Sequence, residues 1–396
     1  MTDQSIARRN MAVLTAAQAL GGASPPIVMS LGGLVGQHLA ADPAWVTFPV
    51  SLFGVGLALG APPAAFIMRR HGRRNGYLLG ALFGVASGLV AAFGIFIASF
   101  WLFCIGAFTA GLYGAYVQSY RFAAADGAEG DLKAKAISWV MVGGLVAAVV
   151  GPQLVIWTRD AVPGTPYVGS FLSQAALALL VIPVLLLLRS PPAVVQSGAG
   201  GGRSLGQIMR VPRFILAVAT GVVSYGLMAF VMTAAPVAMV NAGHSVDSAA
   251  LGIQWHLLAM FAPSFFTGRL MGRFGKERVA AVGMVLIAVS AAVALSGMAV
   301  ANFWLSLMIM GVGWNFSFIG ATAMVTDCHT AEERGKAQGA NDFFVFGATA
   351  IVSFLAGAVL NTSGWEAINW LLFPPVALIL APLLWQAARR SAPPSI

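Results

Sequence analysis

Four side chains that can ligate a soft metal ion stand in two pairs between residues 228 and 260. Met228 and Met232 lie on one apolar segment, and His256 and Met260 lie on the next, after a short turn at residues 241–247. The i, i+4 spacing within each pair puts both side chains on one face of a helix, about 6 Å apart at Cβ. Counted inward from the turn, the two pairs lie level with each other, at depths of roughly 13 and 20 Å.

Thioether sulfur and neutral imidazole suit soft or borderline metals, copper above all. Because thioethers carry no proton and no charge, they can bind a copper ion without holding it as tightly as thiolates would. A structural interpretation competes with this one, since a methionine pair in an apolar helix commonly packs in the core and a buried histidine can form an interhelical hydrogen bond. The matched depth of two pairs on consecutive helices favours the ligand interpretation.

The composition predicts an all-α membrane protein. Charged residues make up 9% of the 396 residues and hydrophobic residues 59%, and the mean hydropathy is +0.84, whereas a soluble domain carries about 25% charged residues. Long unbroken apolar runs indicate helices rather than a barrel. The formal net charge of +9 reflects topology, because all but one of the 22 Lys and Arg fall on one side of the predicted membrane. The lipid bilayer is therefore the expected partner, and nucleic acid is excluded.

The apolar runs predict twelve transmembrane helices. We place them at residues 11–39, 44–68, 76–98, 100–122, 134–158, 167–189, 212–240, 247–271, 277–299, 302–326, 336–360 and 365–388. The side rich in Lys and Arg is expected to be cytoplasmic and holds both termini, while the other side holds only Arg159. Cys104 and Cys328 fall near opposite faces of the membrane, so no disulfide is expected.

A glycine-rich linker divides the chain between the sixth and seventh spans, at residues 190–206. It predicts an N-terminal six-helix half at 1–189, a cytoplasmic linker at 190–211 and a C-terminal six-helix half at 212–396. The halves resemble each other: Asp126 and Lys135 follow the fourth span at the same separation as Asp327 and Lys336 follow the tenth. Two pseudo-symmetric halves with a site between them are a transporter architecture.

Two short basic loops carry a family resemblance. Arg69–Arg74 (RRHGRR) follows the second span and Gly272–Arg278 (GRFGKER) follows the eighth. These loops are similar to the signature of the major facilitator superfamily, although Arg69 and Gly272 occupy its usual acidic position. The resemblance covers the whole chain and implies a transporter fold without fixing a substrate.

Within that superfamily, the chain resembles the CcoA-like copper importers. Their Met-x-x-x-Met motif on the seventh span matches Met228–Met232, and their His-x-x-x-Met motif on the eighth matches His256–Met260. The resemblance implies copper import across a bacterial inner membrane, supplying cytochrome oxidase assembly, with these motif residues as metal ligands and a cytoplasmic copper acceptor protein as a partner. A relative in the same branch carries riboflavin instead.

Other polar and aromatic residues are weaker candidates for lining a cavity, and structural roles compete for each of them: Gln18, Gln118, Trp255, Trp314, Asn315 and Asp342. The main expectation is thus a monomeric transporter, not an enzyme, that carries copper as its substrate and holds no permanent cofactor. Import of riboflavin or another planar cofactor, with aromatic side chains as stacking surfaces, is the first alternative. Two further alternatives are export of a drug or metabolite, and a copper-binding sensor or assembly factor that does not transport the metal.

Overall fold

The computed structural model describes residues 3–125, 131–189, 202–330 and 332–391. Within those ranges the chain is α-helical apart from short connections, which include a 3-10 turn at Pro43–Trp45. The helices are α1 (Asp3–Gly21), α2 (Ser24–Leu39), α3 (Phe48–His71), α4 (Arg73–Phe96), α5 (Phe100–Gln118), α6 (Tyr120–Ala125), α7 (Asp131–Thr158), α8 (Val168–Leu186), α9 (Leu205–Ile208), α10 (Pro212–Asn241), α11 (Val246–Phe261), α12 (Ser264–Phe274), α13 (Lys276–Leu295), α14 (Val300–Thr326), α15 (Arg334–Trp370) and α16 (Phe373–Ser391).

Ten helical segments of the described residues are long and apolar enough to cross a membrane, or eleven if the bent pair α11–α12 counts as one span. One of the ten, Arg334–Arg389, has 56 residues and would reach about 84 Å as a single helix, far more than the ~30 Å hydrocarbon core needs. It contains a non-helical residue, Gly364, with φ of 77°. The predicted eleventh and twelfth spans meet there, so the all-α transmembrane prediction is confirmed.

Two of the predicted spans are broken by prolines. The first divides between α1 and α2, and α2 begins with Pro25 and Pro26 in its first turn, where their missing N–H groups need no partner. The eighth divides at Pro263, with a bend of 42° between α11 and α12. Pro236 also lies inside a predicted span, but α10 continues through it without a break.

The described residues group into two compact units. Unit 1 contains those of Met1–Val195 together with Gly243–Gln254, and unit 2 contains those of Gln196–Ala242 and Trp255–Ile396. The first turns of α11 thus belong to unit 1. There Asp247 forms an ion pair of 2.7 Å with Arg159, and Gln153 donates to Gln254 over 2.9 Å. The predicted linker at 190–211 lies partly outside the described residues, and the domain boundaries stay a prediction.

Each unit has its own helix packing. In unit 1, α3 and α4 pack on α5, α8 packs on α4, and α1 packs on α7. In unit 2, α13 packs on α14, and α10 packs on both α14 and α15. Helix α10 therefore contacts both α14 and α15, and the aromatic residues described below come from these three helices.

Candidate substrate-binding site

Both predicted ligand pairs are buried in the structure. Met228 and Met232 lie inside α10, and His256 and Met260 lie inside α11. Among the described residues, no group of three or more His, Cys, Asp or Glu side chains comes together in a way that could hold a metal ion. In that part of the chain, the imidazole of α11 is therefore not a member of a three-residue metal-binding group of those types.

The His256 ring is oriented by helix α14. Its Nδ1 lies 2.8 Å from the carbonyl oxygen of Leu307, and because a carbonyl can only accept, Nδ1 carries the ring proton. The other ring nitrogen, Nε2, is then an acceptor, and it is buried with no hydrogen-bond partner among the described residues. The structure thus supports the interhelical hydrogen bond that competed with the ligand interpretation, while leaving one nitrogen unused.

Asn315 holds the bend between α11 and α12. Its amide nitrogen donates to the carbonyl oxygen of Met260 over 2.8 Å and to the hydroxyl of Ser264 over 2.7 Å, and its amide oxygen accepts from Thr267 over 2.6 Å. A Cβ at Gly311, one turn earlier on α14, would lie 2.9 Å from the backbone nitrogen of Met260. The segment that carries His256 and Met260 is therefore fixed closely against α14, and the contacts of Asn315 are structural.

The other weak candidates lie on four different helices. In unit 1, Gln18 is partly buried at the crossing of α1 and α7, and Gln118 is exposed at the end of α5. In unit 2, Trp255 is 40% exposed on α11, and Asp342 is exposed on α15, where it accepts a hydrogen bond of 3.0 Å from Asn341. A cavity-lining role for these residues stays a prediction.

Trp314, in contrast, belongs to an aromatic cluster in unit 2, which consists of Tyr225, Trp314, Phe318 and Phe346. Trp314 and Phe318 stack one turn apart on α14, with ring centroids 4.9 Å apart and planes at 19°. Tyr225 of α10 meets Trp314, Phe318 and Phe346 edge-on, at 5.5, 5.2 and 5.6 Å. Of these four residues, only Trp314 was predicted from the sequence. The i, i+4 spacing of Trp314 and Phe318 is a signal that could have added one more, but the other two rings come from different helices.

The aromatic cluster is partly open and partly polar. Trp314 is 8% exposed, and its indole N–H has no hydrogen-bond partner among the described residues, whereas Tyr225, Phe318 and Phe346 are partly exposed. One turn before Tyr225, a Cβ at Gly221 would meet its nearest neighbours only at 3.5 to 3.8 Å, and the amide oxygen of Asn341 is one of them. A flat aromatic ligand with a polar edge could therefore contact aromatic rings and hydrogen-bonding groups at the same place.

The chain as a whole is similar to known transporters. The family model of the Major Facilitator Superfamily matches residues 11–261 and 216–395. The riboflavin transporter RfnT of Brucella anthropi is 66% identical over 394 residues, which cover 99% of this chain and 99% of that protein. Among solved structures, the xylose transporter XylE from E. coli, in a partially occluded inward open conformation, gives a TM-score of 0.76 at 14% identity, covering 96% and 98% of the two chains. The nucleoside transporter NupG gives 0.66 at 13%, covering 98% and 100%. At such identities the two structures show the fold alone.

These comparisons overturn the copper interpretation. A relative that matches along nearly the whole chain is a riboflavin transporter, so the expected copper cargo, the likeness to CcoA-like importers and the copper acceptor partner are wrong. The motif rested on four residues, and each has an ordinary structural use. Methionine fills apolar helix interfaces, and His256 donates to a neighbouring helix. Matched depth was weaker evidence than it looked, because equal spacing from a turn does not place side chains in contact.

Proposed function

We propose that this chain, which belongs to the Major Facilitator Superfamily, imports riboflavin across the bacterial cytoplasmic membrane. The observation that carries the proposal is the 66% identity to a riboflavin transporter over 99% of both chains. The alignment with this relative covers both units, so the similarity is not confined to one of them. Transport rather than catalysis is the activity we infer, because this is the activity of that relative.

The chemistry of riboflavin supports the proposal. Its isoalloxazine system is a flat tricyclic ring with a polar pyrimidine edge, and its ribityl chain is uncharged. A carrier for such a molecule needs aromatic surfaces and hydrogen-bonding groups rather than a buried charge. The predicted spans contain no deep Lys or Arg, and unit 2 contains the aromatic cluster.

Orientation follows from the charged residues. The connections that hold nearly all of the Lys and Arg are expected to face the cytoplasm. We therefore infer that both termini are cytoplasmic and that the chain acts as a multi-pass protein of the bacterial inner membrane. Because the substrate moves through the fold, riboflavin is a cargo here and not a resident cofactor.

Uptake measurements test this function directly. A bacterial strain that requires riboflavin and lacks its own uptake system would express the full chain, an empty vector or the Met228→Leu variant. We expect the full chain to support growth at riboflavin concentrations too low for the vector control, and to accumulate labelled riboflavin. Met228→Leu keeps volume and apolarity while removing the sulfur, so it should transport riboflavin as the natural chain does.

Copper accumulation, measured in the same cells, should not differ between the full chain and the vector. Membranes that contain the folded chain but take up no riboflavin would contradict the proposal. Loss of riboflavin uptake in a folded Met228→Leu variant would show that the thioether has a role beyond packing.

A further inference from the structure

We propose that the aromatic cluster of unit 2 is where the isoalloxazine ring of riboflavin binds, stacked on the partly exposed rings with its polar edge toward Trp314 and Asn341. This inference rests on the proposed function and states where in unit 2 the substrate binds. The cluster is defined by Tyr225, Trp314, Phe318 and Phe346, on helices α10, α14 and α15.

The exposure of the rings is the first argument. Aromatic side chains that only fill a core are closed on all sides, but Tyr225, Phe318 and Phe346 each keep a partly exposed surface. They are tied together by Tyr225, which contacts the other rings edge-on. A flat ligand ring that binds beside these side chains can form offset-stacked or edge-to-face contacts with several of them. None of the side chains has to move for these contacts to form.

The unpaired indole N–H is the second argument. The side chain of Trp314 is more than nine-tenths buried, and its Nε1 has no hydrogen-bond partner among the described residues. A buried donor without an acceptor is unfavourable, and in native proteins such a group calls for an explanation. The pyrimidine edge of a flavin presents carbonyl oxygens, which are acceptors that Trp314 can reach if the ring inserts beside it.

The surroundings supply a second polar group beside the cluster, Asn341. Around Gly221, one turn from Tyr225 on α10, an added Cβ would make only ordinary contacts, with Val345 at 3.5 Å and with Ala321 and the amide oxygen of Asn341 at 3.8 Å. The Asn341 side chain is 6% exposed and donates to Asp342 over 3.0 Å, which orients its amide. The Asn341 amide therefore lies next to the turn of α10 that precedes Tyr225, where it can offer a hydrogen bond to the polar edge of a flat ligand.

Riboflavin fluorescence gives a direct assay, because flavin emission is quenched when the ring stacks on tryptophan or tyrosine. The full chain would be purified in detergent and titrated with riboflavin, with lumiflavin as a ring-only competitor and ribitol as a chain-only competitor. We expect quenching on binding, displacement by lumiflavin and no displacement by ribitol. Phe318→Leu and Phe346→Leu should each weaken binding by about tenfold, which is the loss expected when one stacking partner of roughly 1.4 kcal/mol is removed.

The matched control is Phe316→Leu. Phe316 lies two residues before Phe318 on α14, on another face of the helix, where it contacts Phe266 instead, at 6.3 Å. The same exchange there should leave affinity and quenching unchanged. Trp314→Phe keeps a ring but removes the donor, so it should lower affinity while retaining displacement by lumiflavin.

The outcomes separate the site from the function. If the natural chain transports and binds riboflavin but Phe318→Leu, Phe346→Leu and Trp314→Phe all behave like Phe316→Leu, the cluster is not the binding site and the proposed function stands. If only Trp314→Phe is unchanged, its donor role is overturned. If the natural chain is folded yet neither binds nor transports riboflavin, the proposed function fails, and the site fails with it.

Discussion

The two units use aromatic residues in opposite ways. In unit 1, Tyr77 and Tyr120 are fully buried and meet edge-on, with centroids 4.8 Å apart and planes at 89°. The Tyr77 hydroxyl accepts from Arg73 over 3.2 Å and from the Ser119 hydroxyl over 3.1 Å, which closes the break between α5 and α6. In unit 2, three of the four rings of the aromatic cluster, those of Tyr225, Phe318 and Phe346, keep exposed surface. The rings of unit 1 are therefore enclosed by the protein, whereas the rings of the aromatic cluster in unit 2 keep surface that a ligand could contact.

Two glycines show the same difference between tight packing in unit 1 and open space in unit 2. At the crossing of α3 and α5 in unit 1, a Cβ on Gly111 would fall on the carbonyl oxygen of Phe53 and only 2.8 Å from the backbone nitrogen of Leu57. In unit 2, a Cβ on Gly347, beside Phe346, would have nothing within 4 Å. The first glycine lets two helices approach closely, as is common in membrane helix packing, whereas the second leaves open space.

We expect the largest difference in fold stability when these two glycines are replaced, one at a time, by valine. Gly111→Val would force backbone against side chain at the α3–α5 crossing, and we expect it to destabilise the fold by about 3 kcal/mol or more. Gly347→Val places the same side chain in open space and should leave the folded protein intact. Thermal unfolding and size-exclusion elution of the purified chain in detergent measure both.

The comparison breaks if both variants elute as folded protein with the same unfolding temperature, because the close approach in unit 1 would then be unimportant. The comparison also fails if Gly347→Val unfolds the chain, since the position beside Gly347 would then not tolerate a side chain.

A smaller effect is expected from Tyr77→Phe, which keeps the ring and removes the hydroxyl. The variant loses the hydrogen bonds to Arg73 and Ser119 and should be less stable by about 1 kcal/mol. Pairing it with Ser119→Ala in a double-mutant cycle isolates the bond between the two hydroxyls. Riboflavin binding should be unaffected, because Tyr77 belongs to the closed packing of unit 1. Purely additive effects of the two variants would show that the hydroxyls are not coupled.

The fold was largely predictable from the sequence, and the site was not. Spans follow from the composition of each segment, and the break at Pro263 follows from a missing backbone donor, so both are local properties. The aromatic cluster depends on three helices meeting, and no spacing within one helix encodes that. Trp314 was singled out, but Phe318 beside it and Tyr225 across from it were missed.

The error over copper has a physical origin of the same kind. Periodicity shows that Met228 and Met232 share a helix face, and that His256 and Met260 share another, but it does not show what each face meets. The structure directs Nδ1 of His256 to the Leu307 carbonyl of α14. Ligand chemistry was therefore inferred from residue type alone, at a place where packing and an interhelical hydrogen bond account for the same residues.

The smallest effect concerns a charged contact of unit 2 that stabilises the fold away from the aromatic cluster. Arg203 donates to both carboxylate oxygens of Glu333, over 2.9 and 2.8 Å, and also to the carbonyl oxygen of Cys328. These bonds from the Arg203 side chain, with those from the backbone N–H groups of Arg203 and Thr330, hold the pKa of Glu333 well below its ordinary value of 4.5. The folded state therefore favours the ionised carboxylate.

The sign of the pH dependence follows from that lowered pKa. The ion pair stabilises the fold fully above the unfolded pKa of about 4.5, and this stabilisation is lost as the pH falls from there through the lower folded pKa. Glu333→Gln should thus unfold at a lower temperature than the natural chain at pH 7, and the difference should shrink below about pH 4.5. Glu366→Gln, which changes an exposed carboxylate of α15, is the control and should show no such convergence. Riboflavin affinity at pH 7 should be the same in all three proteins. A gap between Glu333→Gln and the natural chain that stays constant into acid would mean that the carboxylate charge of Glu333 does not stabilise unit 2.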